Sequence, residues 1–202
     1  MRRKMTLFGL ASLLALLTCT LCACANQNQI ANAPTQDNPQ ATNTTLVVYF
    51  SNTGNTRTVA EKIATTTDAD IFEIEPVVPY TADDLDYNND NARSMIELSD
   101  PTSRPEIANT VANWDGYTTI FIGYPIWWSR TPPIMQTFVE THDWNNKTSI
   151  PFCTSSSSPI GSSANILREA TTGATWLEGQ RFETNASDED IAAWLDSLQG
   201  IS

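Results

Sequence analysis

The sequence predicts an α/β fold, a three-layer, doubly wound, five-stranded parallel sheet, and three observations predict it. Short apolar runs alternate with helix-period stretches from Leu46 onward. The central run, residues 118–124 (TTIFIGY), is apolar through its middle, as a strand covered on both faces must be. The chain closes on an amphipathic helix with a well-marked start, so helices and strands alternate to the end, the pattern that buries a parallel sheet between two helical layers.

Residues 46–50 (LVVYF) are the first strand, followed at once by the turn residues Ser51-Asn52-Thr53-Gly54. A helix comes next, with Val59, Ala60, Ile63 and Ala64 on one face. Residues 70–75 (DIFEIE) alternate polar and apolar, the pattern of a more exposed strand. Residues 76–105, rich in Asp and Asn, resist the scheme and read as an excursion between this strand and a helix before Trp114. After the central strand, Pro132-Pro133 opens a helix with Ile134, Met135, Phe138 and Val139 facing inward; proline suits a first turn because its missing N–H would be unpaired there anyway. Residues 149–154 (SIPFCT) are the fourth strand, a short helix spans 164–170, and residues 176–182 form a fifth strand interrupted by Gly179. In the last helix Ser187 and Asp190 have capping-box spacing, and Ile191, Trp194, Leu195 and Leu198 form one apolar face.

Ahead of this domain lies an address segment. MRRK, then the apolar run of residues 6–18, then small residues form the three-part pattern of a secretory signal. The run is about 13 residues, short of the roughly 20 a stable span needs. Leu21-Cys22-Ala23-Cys24 fits a bacterial lipobox with Cys24 as the lipidated residue; ordinary cleavage after Ala25 is the alternative. Residues 25–45, rich in Asn, Gln, Thr and Pro, bury too little to fold and form a disordered tether. Such a tether spans about 25 Å as a random coil. The domains expected are therefore a lipoprotein signal peptide (1–24), a tether (25–45) and a folded domain (46–202), in an extracytoplasmic lipoprotein anchored to a membrane through Cys24.

The 202 residues carry 11 bases and 23 acids, a formal charge of −12. Three of the bases and none of the acids lie in the first 24 residues, so the remainder stands at −15. With three lysines in the whole chain, nucleic-acid binding is excluded as a main activity. The body keeps one cysteine, Cys153, which reads as a small core residue on the fourth strand, and one histidine, His142, near a helix end, so neither a metal site nor a catalytic residue is expected.

Ligands of open parallel sheets bind outside the carboxyl ends of the strands. Those ends hold Ser51, Asn52, Thr53, Gly54, Asn55 and Thr56, where hydroxyls and backbone N–H groups at a helix start can wrap a phosphate. They also hold Pro125, Ile126, Trp127 and Trp128, adjacent indoles suited to a planar ligand, and the polar Thr154, Ser155 and Ser156. Together they describe a site for a mononucleotide with a flat heterocycle.

The segments YFSNTGNT, DGYTTIFIGYPIWW and IPFCTSSSSPIGSS, with WLEGQRF beyond them, resemble the flavodoxin-like family, specifically its secreted and lipoprotein group, over residues 46–202. The resemblance implies strand order 2-1-3-4-5 and non-covalently bound FMN. It implies that residues 51–56 hold the phosphate, that 125–128 line the isoalloxazine and that 154–156 border its other edge, with Tyr80 as a possible second stacking face. Rival uses of the same fold lack their residues. Tyr124-Pro125 stands where a response regulator carries its aspartate, Pro159 where a C-x5-R phosphatase carries its arginine, and no G-x-G-x-x-G occurs. Two functions of different class follow. One is an electron-transfer protein serving a redox partner. The other is an NAD(P)H-dependent FMN oxidoreductase that reduces quinones or similar small acceptors, with the excursion as a lid. A binding protein without flavin is a third.

Overall fold

The computed structural model describes residues 44–198. The signal, Cys24 and residues 25–43 of the tether lie outside these residues. Five parallel strands stand in the order β2-β1-β3-β4-β5, where β1 is Thr45–Tyr49, β2 Asp70–Glu73, β3 Thr119–Pro125, β4 Thr148–Thr154 and β5 Thr175–Trp176. Thr45, expected as the last tether residue, opens β1 because it pairs with Thr119 of β3. A sixth piece, β6 (Gln180–Phe182), also pairs with β4, so β5 and β6 are the two halves of the interrupted fifth strand.

Alternation along the strands splits the core into two layers. Leu46 and Val48 of β1, with Phe50 beyond it, and Ile120, Ile122 and Tyr124 of β3 face one side. There they pack on α3 (Pro133–Glu140) and α4 (Asn165–Ala170). Val47, Tyr49, Phe121, Ile150 and Phe152 face the other, against α1 (Asn55–Thr67) and α5 (Asp188–Ser197). Gly123 sits opposite Phe152 in the β3–β4 register, and its missing side chain leaves the space the Phe152 ring fills.

The last helix starts as its sequence predicts. Ser187 Oγ accepts from Asp190 N–H at 3.1 Å, and the Asp190 carboxylate accepts from Ser187 N–H at 3.0 Å. Ser187→Ala removes that box and costs about 1 kcal/mol, which in a domain of this size lowers the melting temperature by about 2–4 °C in a calorimetric or circular-dichroism melt.

The crossover between β2 and β3 differs from expectation. Its α-helix is α2 (Arg93–Ser99), inside the excursion, and residues 106–113, where the helix before Trp114 is expected, form none. The chain there runs extended, with Ile107 bridging antiparallel to Pro76 and Ala108 N–H donating to Glu75 O at 2.7 Å. The cause is the edge of the sheet. β2 is an outer strand, and the chain just beyond it, with its unpaired peptide groups, takes this segment as a partner.

Candidate functional site

The turn after β1 is built to leave donors open. Gly54, at φ +86°, is the N-cap of α1 and offers no side chain to cap it. The left-handed backbone there favours glycine, which has no β-carbon to strain it. The N–H groups of Asn52 through Thr56 accordingly have no partner within the described residues. Ser51 Oγ and Asn52 Nδ2 are buried and equally unpartnered. Buried polar atoms are nearly always satisfied in folded proteins, so this cluster is suited to the acceptors of a ligand. At the N-terminus of a 13-residue helix such donors suit an anion.

The second wall follows β3. Ile126 N–H donates to Thr154 O at 3.0 Å, and Trp127 and Arg130 exchange both backbone bonds across a two-residue turn. Trp128 (φ 45°) and Ser129 (φ 62°) occupy its corners in the left-handed region. This geometry normally selects Asn-Gly, and a bulky residue there stores about 1–3 kcal/mol of strain. Trp127 is buried edge-on against Phe50 and Tyr80, with centroids 5.8 and 5.3 Å away. Trp128 is half-buried and lies against Tyr87 at 4.3 Å and 33°.

Tyr80 is therefore not a stacking face. It packs behind Trp127, donates to Glu97 at 2.5 Å and lies under the Arg93 guanidinium at 4.0 Å. Burial, then the bond to Glu97, pushes its phenol pKa far above the ordinary value. The aromatic that reaches the cleft is Tyr87, seven residues on, with burial raising its pKa as well.

The third wall follows β4. Thr154 Oγ1 lies 2.8 Å from Thr56 Oγ1, both buried, and this bond ties the third loop to the first. Ser155 N–H donates to Phe182 O at 3.2 Å, and its hydroxyl donates to Ser158 O.

The three walls enclose one cleft of about 610 Å³, within the range of small-molecule sites. Twelve of the thirteen residues singled out from the sequence line it; Gly54 shapes the turn without lining. Beyond those thirteen, the cleft is lined by Ala82, Leu85 and Tyr87 from the excursion, Ser129 and Ser158 from the loops, and Thr184 beyond β6. Leu85 and Tyr87 are apolar residues isolated in an Asp-rich run, a signal that they cover something. Thr184 stands past the end of the fifth strand, where the same strand-end rule points.

No charged side chain lines the cleft among the described residues. An anion would be held by neutral donors and the helix dipole, and no lining carboxylate, imidazole or amine is available for acid–base chemistry. Cys153 is buried in β4, its thiol pushed up to about 12 by burial. His142 packs on Trp114 and Phe138 with Nδ1 2.8 Å from Phe138 O, remote from the cleft lining, and burial lowers its pKa. Among the described residues no group of three His, Cys, Asp or Glu is placed to hold a metal, and no helix is long and apolar enough to cross a membrane.

A family model described as flavodoxin matches residues 44–198. A proposed flavoprotein from Bacteroides eggerthii DSM 20697 is 43% identical, with a TM-score of 0.72 over 76% of this chain and 96% of its own. A second, from Bacteroides uniformis ATCC 8492, is 40% identical with a TM-score of 0.73 over 76% and 98%. A flavoprotein from Lactobacillus acidophilus NCFM, solved in complex with FMN, shares the fold at 21% identity and a TM-score of 0.56 over 76% and 99%. No curated protein matches.

Proposed function

This chain belongs to the flavodoxin family, and from that premise we propose that it is an FMN-binding electron-transfer protein working at the extracytoplasmic face of a membrane, held there through Cys24. The observation that carries the FMN reading is the set of buried, unpartnered donors at Ser51 and Asn52, beside the open N–H groups at the start of α1. They fit a phosphate, while the indole wall and the serine loop fit a flat ring and its polar edge. Bound FMN supplies one- and two-electron chemistry. The chain's own residues bind and orient it: the first loop grips the phosphate, Trp127 and Trp128 exclude water from one face of the ring, and the Thr56–Thr154 bond keeps the loops at either end in register. The lining carries no charged side chain, and its one phenol, Tyr87, has its pKa raised by burial, which favours a carrier over acid–base chemistry on a substrate. The −15 charge beyond residue 24 favours a basic redox partner.

The first test is the visible spectrum of the purified protein, followed by FMN titration with fluorescence quenching. A yellow protein, or quenching that saturates at one FMN per chain, is expected; a colourless protein that leaves FMN fluorescence unchanged sinks the reading. Because the cradle is neutral, raising the salt from about 0.02 to 0.5 M should not weaken the affinity, whereas a lysine or arginine cradle would lose affinity steeply. Loss of the flavin colour on adding NADH or NADPH would replace the carrier with a reductase. For the anchor, Cys24→Ala is expected to abolish incorporation of labelled fatty acid, and a variant that still takes up label ends that assignment.

A further inference from the structure

The third loop is held from behind by one side chain. Arg181, on β6, donates from Nε to Ser155 Oγ at 3.2 Å and from Nη2 to Ser155 O at 3.2 Å and Ser156 O at 3.0 Å. Nη2 also meets the Glu183 carboxylate at 3.1 Å. Among the described residues no other cationic side chain bonds to a residue that lines the cleft. Arg181 itself does not line the cleft, whereas Ser155 and Ser156, which it holds, do.

The planarity of the peptide makes this consequential. In a trans peptide the N–H points opposite to the C=O of the preceding residue. Drawing the carbonyls of Ser155 and Ser156 toward Arg181 therefore turns the N–H groups of Ser156 and Ser157 away from the guanidinium. Neither N–H has a partner among the described residues. The arginine fork thus fixes the direction of two open donors, one of them on Ser156, which lines the cleft.

We propose that Arg181 is a positioning residue that aims these two N–H groups at the polar edge of bound FMN, and that it thereby sets both the affinity for the cofactor and its reduction potential. The inference rests on the FMN reading above. Donors fixed in advance stabilise negative charge that appears on the ring when it takes up electrons, and their reorientation costs nothing at that moment. A lysine in place of Arg181 keeps the charge but cannot span three acceptors with one ammonium.

The test uses the full chain as wild type, Arg181→Lys and Arg181→Met. FMN affinity is read by fluorescence quenching, the midpoint potential by equilibration with reference dyes, and the melting temperature without flavin. Both variants should bind FMN about tenfold more weakly, the scale of one lost charge-assisted hydrogen bond, and their potentials should move negative. Lysine should not rescue either property. If Arg181→Met does not fold, Arg181→Lys decides alone. An Arg181→Lys protein with wild-type affinity and potential overturns the proposal. So does a lowered melting temperature with affinity and potential both unchanged, since that is a purely structural role. A wild-type chain that binds no FMN overturns the cofactor reading, and the proposal falls with it.

Discussion

Trp128→Gly is expected to weaken FMN binding by about 10- to 100-fold, the scale of one lost ring-on-ring stack, while leaving the flavin-free protein nearly as stable as wild type. The two effects separate because Trp128 sits at φ 45° in a corner that favours glycine. Glycine relieves that backbone strain, about 1–3 kcal/mol, which offsets the lost packing against Tyr87. A residue held against its own backbone preference is retained for what its side chain does, and here the side chain lines the cleft. Fluorescence titration and a thermal melt on the same sample check both halves. Unchanged affinity would show that the indole is scaffold, and a melting temperature lower by much more than a few degrees would show that Trp128 is chiefly a packing residue.

Gly123→Ala is expected to destabilise the domain by about 3 kcal/mol, at the upper end of over-packing costs, and to lower the melting temperature by about 10 °C. A β-carbon at Gly123 would overlap the Phe152 ring, which is fully buried in β4. Neither strand can move aside, because β3 and β4 are paired along their whole length, from Thr119–Thr148 to Pro125–Thr154. The two strands end in the second and third loops of the cleft, so the strain reaches the site and FMN binding falls too. Gly123→Ala combined with Phe152→Leu should recover more than 1 kcal/mol relative to the sum of the two single changes, as contacting residues couple. A double variant whose losses simply add would refute the clash.

Elements whose signal is local were legible in the sequence. The unbroken apolar run of residues 46–50 marks a strand buried on both faces, and strand alternation puts Leu46, Val48 and Phe50 in one layer and Val47 and Tyr49 in the other. The Ser187–Asp190 spacing marks the start of α5, and Gly179 marks the break between β5 and β6. The three strand-end loops were legible because a parallel sheet brings its carboxyl ends together by topology alone.

Tyr80 and Tyr87 show where that reasoning stops. Both are tyrosines in an excursion without periodicity, and nothing near either one tells which reaches the cleft. Tyr80 is held back by Arg93 and Glu97, more than a dozen residues on, and Tyr87 is set by its contact with Trp128, on another loop. The missing helix before Trp114 has a similar cause: the chain just past β2 needs a hydrogen-bonding partner, and that demand outweighs any local preference around Ile107. Thr56 and Thr154 are 98 residues apart, and Arg181 meets Ser155 across 26.

The sequence by itself determined the order of strands and helices, the face each buries and the loops that gather at one edge of the sheet, because periodicity and turn chemistry act between neighbours. Only the tertiary structure decided which tyrosine lines the cleft, what covers the edge beyond β2 and which arginine braces the serine loop. Those outcomes depend on unpaired polar groups finding partners across the fold, and no stretch of chain carries that information alone.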